Sequence, residues 1–233
     1  MGNNSHKMDL DTVIIFGGGS YIAKQIVKKI KYKRLICISK SLKKFKIKSK
    51  KIKIFNNFIK NKEEIKKFTN NTKITALFLN NYTVDNLILN KTKEELKLEL
   101  EENLIGTFEN SKELCKIMIN NNFGRLIFFS SSRGLTSDIG ISGYSISKNG
   151  LRGMMKSFSR EFARYNITSN CLSLGFFNSP LFRKIDPNLK KKILSRGDIK
   201  VTGDIDSIKN SIYFISHSKY LTGTTLYLDG GYN

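Results

Sequence analysis

Four polar residues in this chain have the types and the order for proton chemistry: Asn103, Ser131, Tyr144 and Lys148. Tyr144 and Lys148 are four positions apart. On a helix that spacing puts both side chains on one face, within reach of each other. A lysine ammonium beside a phenol favours the phenolate, lowering a pKa that starts near ~10. Tyr144 is then an acid/base for a substrate that gains or loses a proton near neutral pH. Ser131 lies thirteen residues upstream, at the end of the apolar run Leu126-Ile127-Phe128-Phe129. A hydroxyl there can hydrogen-bond a carbonyl or alkoxide oxygen. The pair alone also has a plain reading, an exposed i,i+4 pair on an ordinary helix, because such pairs are common. Order and context favour chemistry. A glycine-rich turn comes first, then a helix with Asn103, then Ser131 at a strand end, then the pair on the next helix.

The elements that must position these residues follow from hydrophobic periodicity. Short apolar runs, expected as strands, occupy 12–16, 34–38, 51–55, 74–79, 124–129, 167–172 and 225–228. Longer amphipathic stretches, expected as helices, occupy 20–31, 61–68, 92–120, 142–165 and 204–215. The long helix at 92–120 opens on Thr92-x-x-Glu95, a capping-box pattern. Residues 176–200 hold both prolines and read as irregular. Alternating strands and helices predict an α/β fold: one doubly wound domain, with a parallel sheet of about seven strands covered on both faces. It spans 1–233, with a loose lead-in at 1–11.

Composition narrows the classes. The chain has 233 residues, 39% of them hydrophobic, and only two prolines, which excludes a disordered chain. No apolar run approaches the ~18 residues needed to span a bilayer, and the first residues lack the apolar core of a signal peptide. Cys37, Cys115 and Cys171 are scattered among apolar neighbours, as buried thiols are. His6 and His217 stand far apart, so no metal site is expected. The expectation is a cytoplasmic protein with no membrane association. The net charge of +22 raises a nucleic-acid reading. Residues 24–73 alone hold eighteen lysines and one arginine against two glutamates. Lysine, asparagine and isoleucine are all abundant, which favours genome composition painted on a solvated face. No helix-turn-helix, zinc-finger or RNA-binding aromatic signature accompanies the charge.

Taken in order, these motifs resemble the short-chain dehydrogenase/reductase family over nearly the whole length, most strongly from Asn80 to Gly231. Ser131, Tyr144 and Lys148 fall at that family's catalytic spacing, and Gly134 follows Ser131 at its usual interval. Glu102-Asn103-Leu104 fits the position of its catalytic asparagine. The run from Tyr220 to Gly231 is similar to its C-terminal signature. The layout is closest to 3-oxoacyl-carrier-protein reductases. The resemblance implies hydride transfer between a nicotinamide and a carbonyl or secondary alcohol. Tyr144 donates the proton, Lys148 lowers its pKa and holds the nicotinamide ribose, Ser131 orients the carbonyl oxygen, and Asn103 anchors a water in a proton relay. It also implies a homotetramer.

Gly17-Gly18-Gly19 sits between the first strand and helix, where glycines permit a tight turn and close approach to phosphate. The helix N-terminus adds unpaired N–H groups for an anion. The implied cofactor contacts are Gly17, Gly19, Ser20, Ile22, Ser39, Lys40, Ser41, Asn80, Tyr144, Lys148, Gly175 and Phe177. An NAD-specific site usually has an acidic side chain after strand two. Here Ser39-Lys40-Ser41 stands instead, so NADP(H) is favoured over NAD(H). Tyr21 replaces a family glycine, and Asn80-Asn81-Tyr82-Thr83 replaces Asn-Asn-Ala-Gly. Those departures keep a nucleotide-binding pseudoenzyme open as the alternative, ahead of a basic nucleic-acid-binding protein. Arg133 and Phe182 are the candidate substrate contacts, the latter on a lid over 176–200. A basic enzyme suits an acidic carrier protein. The usual docking positions hold Asn122 and Tyr165, with Arg125 and Arg164 beside them as substitutes.

Overall fold

A computed structural model describes residues 9–40 and 49–232. Ser41, the start of the lysine-rich run and most of the lead-in lie outside the described residues. Seven strands form one all-parallel sheet: β1 (Leu10–Phe16), β2 (Tyr32–Ile38), β3 (Ile52–Phe55), β4 (Ile74–Phe78), β5 (Gly124–Ser131), β6 (Ile167–Leu174) and β7 (Thr225–Leu228). Their order is β3-β2-β1-β4-β5-β6-β7. The order reverses between β1 and β4, and such a reversal opens a crevice at the carboxyl ends of the strands.

The strands read as nearly continuous apolar runs because both faces are covered. On one face Ile14, Phe16, Ile36, Phe78, Leu126 and Phe128 pack under α2 (Lys62–Phe68), α4 (Gly106–Asn120) and α6 (Ser142–Phe162). On the other, Val13, Ile15, Leu35, Leu77, Ile127 and Leu172 pack under α1 (Tyr21–Lys29) and α9 (Ile205–His217). Phe16, Phe78 and Phe128 come from adjacent strands in register and stack at 4.4 and 4.9 Å between ring centres. Such pairs add ~0.5–1.5 kcal/mol each beyond burial. The three cysteines are buried and unbridged, and burial pushes each thiol up to about 12.

Two stretches differ from expectation. The long helix is interrupted: α3 (Lys93–Leu100) passes through a π turn at Glu101–Ile105 before α4 begins. The Thr92–Glu95 capping box does start α3. The segment 176–200 is not irregular but carries α7 (Pro180–Arg183) and α8 (Pro187–Leu194). Each opens on a side-chain cap, Ser179 or Asp186, followed by proline at the first helical position. Proline there loses no hydrogen bond and is already set at a helical φ. A short helix, α5 (Ser132–Thr136), also follows β5 directly.

Candidate active site

The crevice over β1 holds a cavity of about 680 Å3. It is lined by the glycine turn (Gly17, Gly19, Ser20), the end of β2 (Ile38, Ser39, Lys40), the end of β3 (Asn56, Asn57) and the π turn with Asn80 and Tyr82. Gly17 has φ +73°, and a Cβ there would lie 2.8 Å from the Leu79 carbonyl oxygen, so the turn needs glycine. Ser20 caps α1 by accepting from the Ala23 N–H, and the first turn of α1 has no acidic residue. The helix dipole is thus left to an external anion. Tyr21 does not line the cavity. Its ring packs with the Arg183 guanidinium at 5.8 Å, so the phenol leaves the glycine turn clear. This turn, the open strand ends and the withdrawal of the Tyr21 ring fit a dinucleotide, with Tyr82 remaining part of the cavity wall.

Beyond the cavity, β4, β5 and α6 converge. Lys148 is 2% exposed, and its Nζ donates to the Asn80 carbonyl at 2.7 Å and the Phe129 carbonyl at 3.1 Å. Its ammonium lies 5.5 Å from the centre of the Tyr144 ring. A Cβ at Gly134 would lie 2.9 Å from that of Lys148, so glycine lets α5 approach α6 and brings Ser131 to Tyr144. Burial raises the Tyr144 phenol above its ordinary value, against the opposing pull of a Ser131 hydrogen bond and the Arg133 charge. The sequence expectation of a phenol lowered by Lys148 is corrected on this point. Two of the three ammonium N–H groups go to backbone carbonyls, and for the phenol desolvation dominates. Burial likewise pulls Lys148 from 10.5 down to about 8.

Asn103 is buried in the π turn. Its Oδ1 accepts from the Tyr82 N–H at 2.7 Å, and its Nδ2 donates to the Tyr82 carbonyl at 2.6 Å and to Ser147 Oγ at 3.3 Å. The side chain therefore braces the loop after β4. Asn80 Nδ2 donates to the Glu102 carbonyl and Thr107 Oγ1.

Other expected residues fall elsewhere. Ile22 packs on the α1 face of the core. Gly175 and Phe177 follow β6 at the same sheet edge but do not line the cavity. Phe182 is buried against Phe176 with ring centres 5.6 Å apart, so its ring belongs to the packing of the segment. Arg133 is paired with Asp138 at 2.9 Å, and Asp138 also takes Arg196 at 2.8 Å. Arg125 is corrected outright as a docking residue. It is 1% exposed, donates to the carbonyls of Ser216, Gly124 and Asn166, and lies 4.1 Å over the Phe123 ring. Arg164 remains exposed. Sequence reasoning missed Glu102, which lines the cavity and pairs with Lys40, and Asp229, which accepts from Ser132 Oγ. Glu102 was adjacent to a recognised asparagine, but only the π turn decides which way it faces.

A family model described as enoyl-(acyl carrier protein) reductase matches residues 54–233. The chain belongs to the short-chain dehydrogenase/reductase family. Over 147 residues it is 33% identical to the 3-oxoacyl-[acyl-carrier-protein] reductase FabG of Buchnera aphidicola, covering 62% of this chain and 60% of that protein. It is 31% identical to nodulation protein G of Rhizobium meliloti, over 62% and 60% of the two chains. The aligned stretch thus spans about three-fifths of these relatives. A short-chain dehydrogenase structure from Leptospira borgpetersenii with bound NAD+ superposes with a TM-score of 0.86 at 22% identity, covering 100% of this chain and 96% of that one. At that identity the match speaks for the fold. Among the described residues no helix is long and apolar enough to cross a membrane, and no His/Cys/Asp/Glu group could hold a metal.

Burial of Lys148 has a measurable consequence. Its folded pKa is about 8 against 10.5 in the unfolded chain, so the unfolded chain binds more protons between those values. The stability tied to this group is fully present above 10.5 and is lost as pH falls through 8. Relative to Lys148→Met, the wild type should gain roughly 3 kcal/mol between about pH 7 and the top of that window. Urea denaturation of both proteins across the range checks it. A constant difference would mean that Lys148 is not desolvated as the structure has it.

Proposed function

We propose that the protein is an NAD(P)(H)-dependent oxidoreductase acting on a carbonyl or secondary alcohol, a ketoreductase in its main direction. The observation that carries this reading is the joining of Ser131 and Tyr144 beside a fully buried Lys148 at the carboxyl edge of the sheet. When bound, the nicotinamide supplies or accepts a hydride. Tyr144 gives its hydroxyl proton to the carbonyl oxygen in the reducing direction. The raised phenol suits a group that must hold that proton until the oxygen becomes basic. Ser131 orients the same oxygen. Lys148 holds the ribose, and Asn103 anchors the relay water from the π turn. Gly17, Gly19, Ser20 and Ile22 hold the pyrophosphate side, with Gly175 and Phe177 toward the nicotinamide.

Ser39 and Lys40 support NADP(H) over NAD(H), since the end of β2 has no carboxylate. The segment 176–200, with α7 and α8, acts as the substrate lid. The names of the relatives support an acyl-carrier-protein-linked substrate, and the basic surface with Arg164 exposed suits an acidic carrier. Arg133 stands close enough to influence Tyr144 and is assigned to the substrate side. The site of action is the cytoplasm. A homotetramer is supported by Leu98, Ile105, Phe108 and Ile146, each 44–50% exposed along α3, the π turn, α4 and α6. Large apolar side chains left in water on adjacent helices suit a symmetric interface.

Tyr144→Phe should lower turnover by roughly 10²–10⁴-fold while cofactor binding changes little. Steady-state NADPH oxidation over a carbonyl panel reads the first, calorimetry the second. Retention of most activity with a confirmed substrate would refute the assignment. NADPH should bind more tightly than NADH, and Ser39→Asp should reverse the order by repelling the 2′-phosphate. Equal or tighter NADH binding by the wild type rejects the preference. Light scattering at micromolar concentration should give about four times the 26.6 kDa chain mass. A monomer mass, unchanged by NADPH, overturns the tetramer.

A further inference from the structure

We propose that Glu102 governs discrimination at the adenosine 2′-position by competing for Lys40. The proposal rests on reading the cavity as a dinucleotide site and adds a specificity residue to it. β2 and β4 flank β1, so the loop after β2 and the π turn beyond β4 face each other across the open end of β1. Lys40 comes from one bank and Glu102 from the other, 62 positions later, and their side chains form an ion pair at the cavity they both line.

The two partners are not equally mobile. Glu102 is 27% exposed and sits in a turn anchored on both sides: its own carbonyl accepts from Asn80 Nδ2 at 3.1 Å, and Asn103 grips Tyr82. Lys40 is 80% exposed on a flexible four-carbon stem. Lys40 is therefore the part that moves. An exposed ion pair of this kind is worth little and exchanges readily for a stronger anion. A 2′-phosphate carries more charge than a carboxylate and can take the ammonium from Glu102. A plain 2′-hydroxyl cannot, so the pair stays closed over such a ligand. The preference for phosphate is then the attraction of Lys40 for the phosphate less its attraction for Glu102. The carboxylate missing from the end of β2 is replaced, from the opposite bank, by one that acts through the lysine.

The test is calorimetric titration with adenosine 2′,5′-bisphosphate and with adenosine 5′-monophosphate, on wild type, Glu102→Gln, Lys40→Met and the double variant, with folding checked by circular dichroism. Glu102→Gln should tighten the bisphosphate by about three- to tenfold and leave the monophosphate within about twofold. Lys40→Met should weaken the bisphosphate, and Glu102→Gln should then add almost nothing. Equal tightening of both nucleotides would mean a bulk charge effect. Loosening of the monophosphate would mean that Glu102 accepts directly from the ribose. Persistence of the gain without Lys40 would mean that the pair is irrelevant. Each of these overturns the proposal. If the wild type binds neither nucleotide, the dinucleotide reading itself falls, and this inference falls with it.

Discussion

The buried ammonium of Lys148 is the constraint on which the site depends. A lysine removed from water is costly unless its donors are met. Here two of the three are met by the carbonyls of Asn80 and Phe129, at the ends of two neighbouring strands. Ser130 Oγ adds a bond back to the Lys148 carbonyl at 3.2 Å. One side chain thereby ties α6 to both β4 and β5, and it does so where the strands stop. Tyr144 stands one helical turn before Lys148, so fixing the lysine fixes the phenol. Ser131 ends the strand whose Phe129 carbonyl the lysine holds. The relative placement of three site residues therefore follows from one desolvated group, and a loss of its contacts would loosen all three.

A second set of contacts controls the loop after β4. Asn103 binds both backbone groups of Tyr82. Further along, Lys91 and Glu99 form a buried ion pair at 2.6 Å, and Glu99 Oε1 accepts from the Val84 N–H at 2.9 Å. Burying an ion pair gains little net stability, yet removing one partner is strongly destabilising. These contacts grip main chain, so the loop can hold a position that its own residues do not dictate. Tyr82 and Thr83 stand where the family's alanine and glycine would give a tighter turn. The π turn makes this grip possible. Its i→i+5 closure from Gly106 to Glu101 resets the helix face so that Asn103 points inward and Glu102 toward the cavity.

Most of the fold was legible because both its periods were strong. Apolar runs of strand length alternated with amphipathic stretches, and the seven strands fell within a few residues of where the pattern put them. The meeting of Ser131, Tyr144 and Lys148 was legible because they sit close in sequence on successive elements. What stayed hidden depended on contacts between distant segments. Lys148 was expected to act on Tyr144, but nothing local says that Asn80, 68 positions away, takes the ammonium. In the sequence Arg125 stands in for a docking residue, whereas two of its three acceptors, the carbonyls of Asn166 and Ser216, come from distant segments and bury it. The helices α7 and α8 were the exception, since Ser-Pro and Asp-Pro are local signals for a helix start. There the two prolines were read as breakers rather than as first residues.

Charge is distributed against its sum. The chain carries +22, yet among the described residues the charged ones lining the cavity are Glu101, Glu102, Glu109 and Lys40. Lys33, Arg34, Lys50 and Lys51 instead line a groove with Asp11 at the amino ends of β1, β2 and β3, the opposite edge of the sheet from Ser131, Tyr144 and Lys148. In a parallel sheet the two edges are separated by the length of the strands, further than the ~8–10 Å over which exposed charges act through physiological salt. The basic residues of that groove therefore contribute to solubility and to long-range steering without setting the potential inside the cavity. Inside, among the described residues, the groups that meet an anion are the N-terminus of α1, the mobile Lys40, and the anchored carboxylate opposite it. A site surrounded by unopposed lysines would hold any polyanion. On the proposed reading, a lysine engaged by a carboxylate yields to a ligand that presents a compact, doubly charged group at that point, and a strongly basic chain would in that way discriminate between two cofactors that differ by one phosphate.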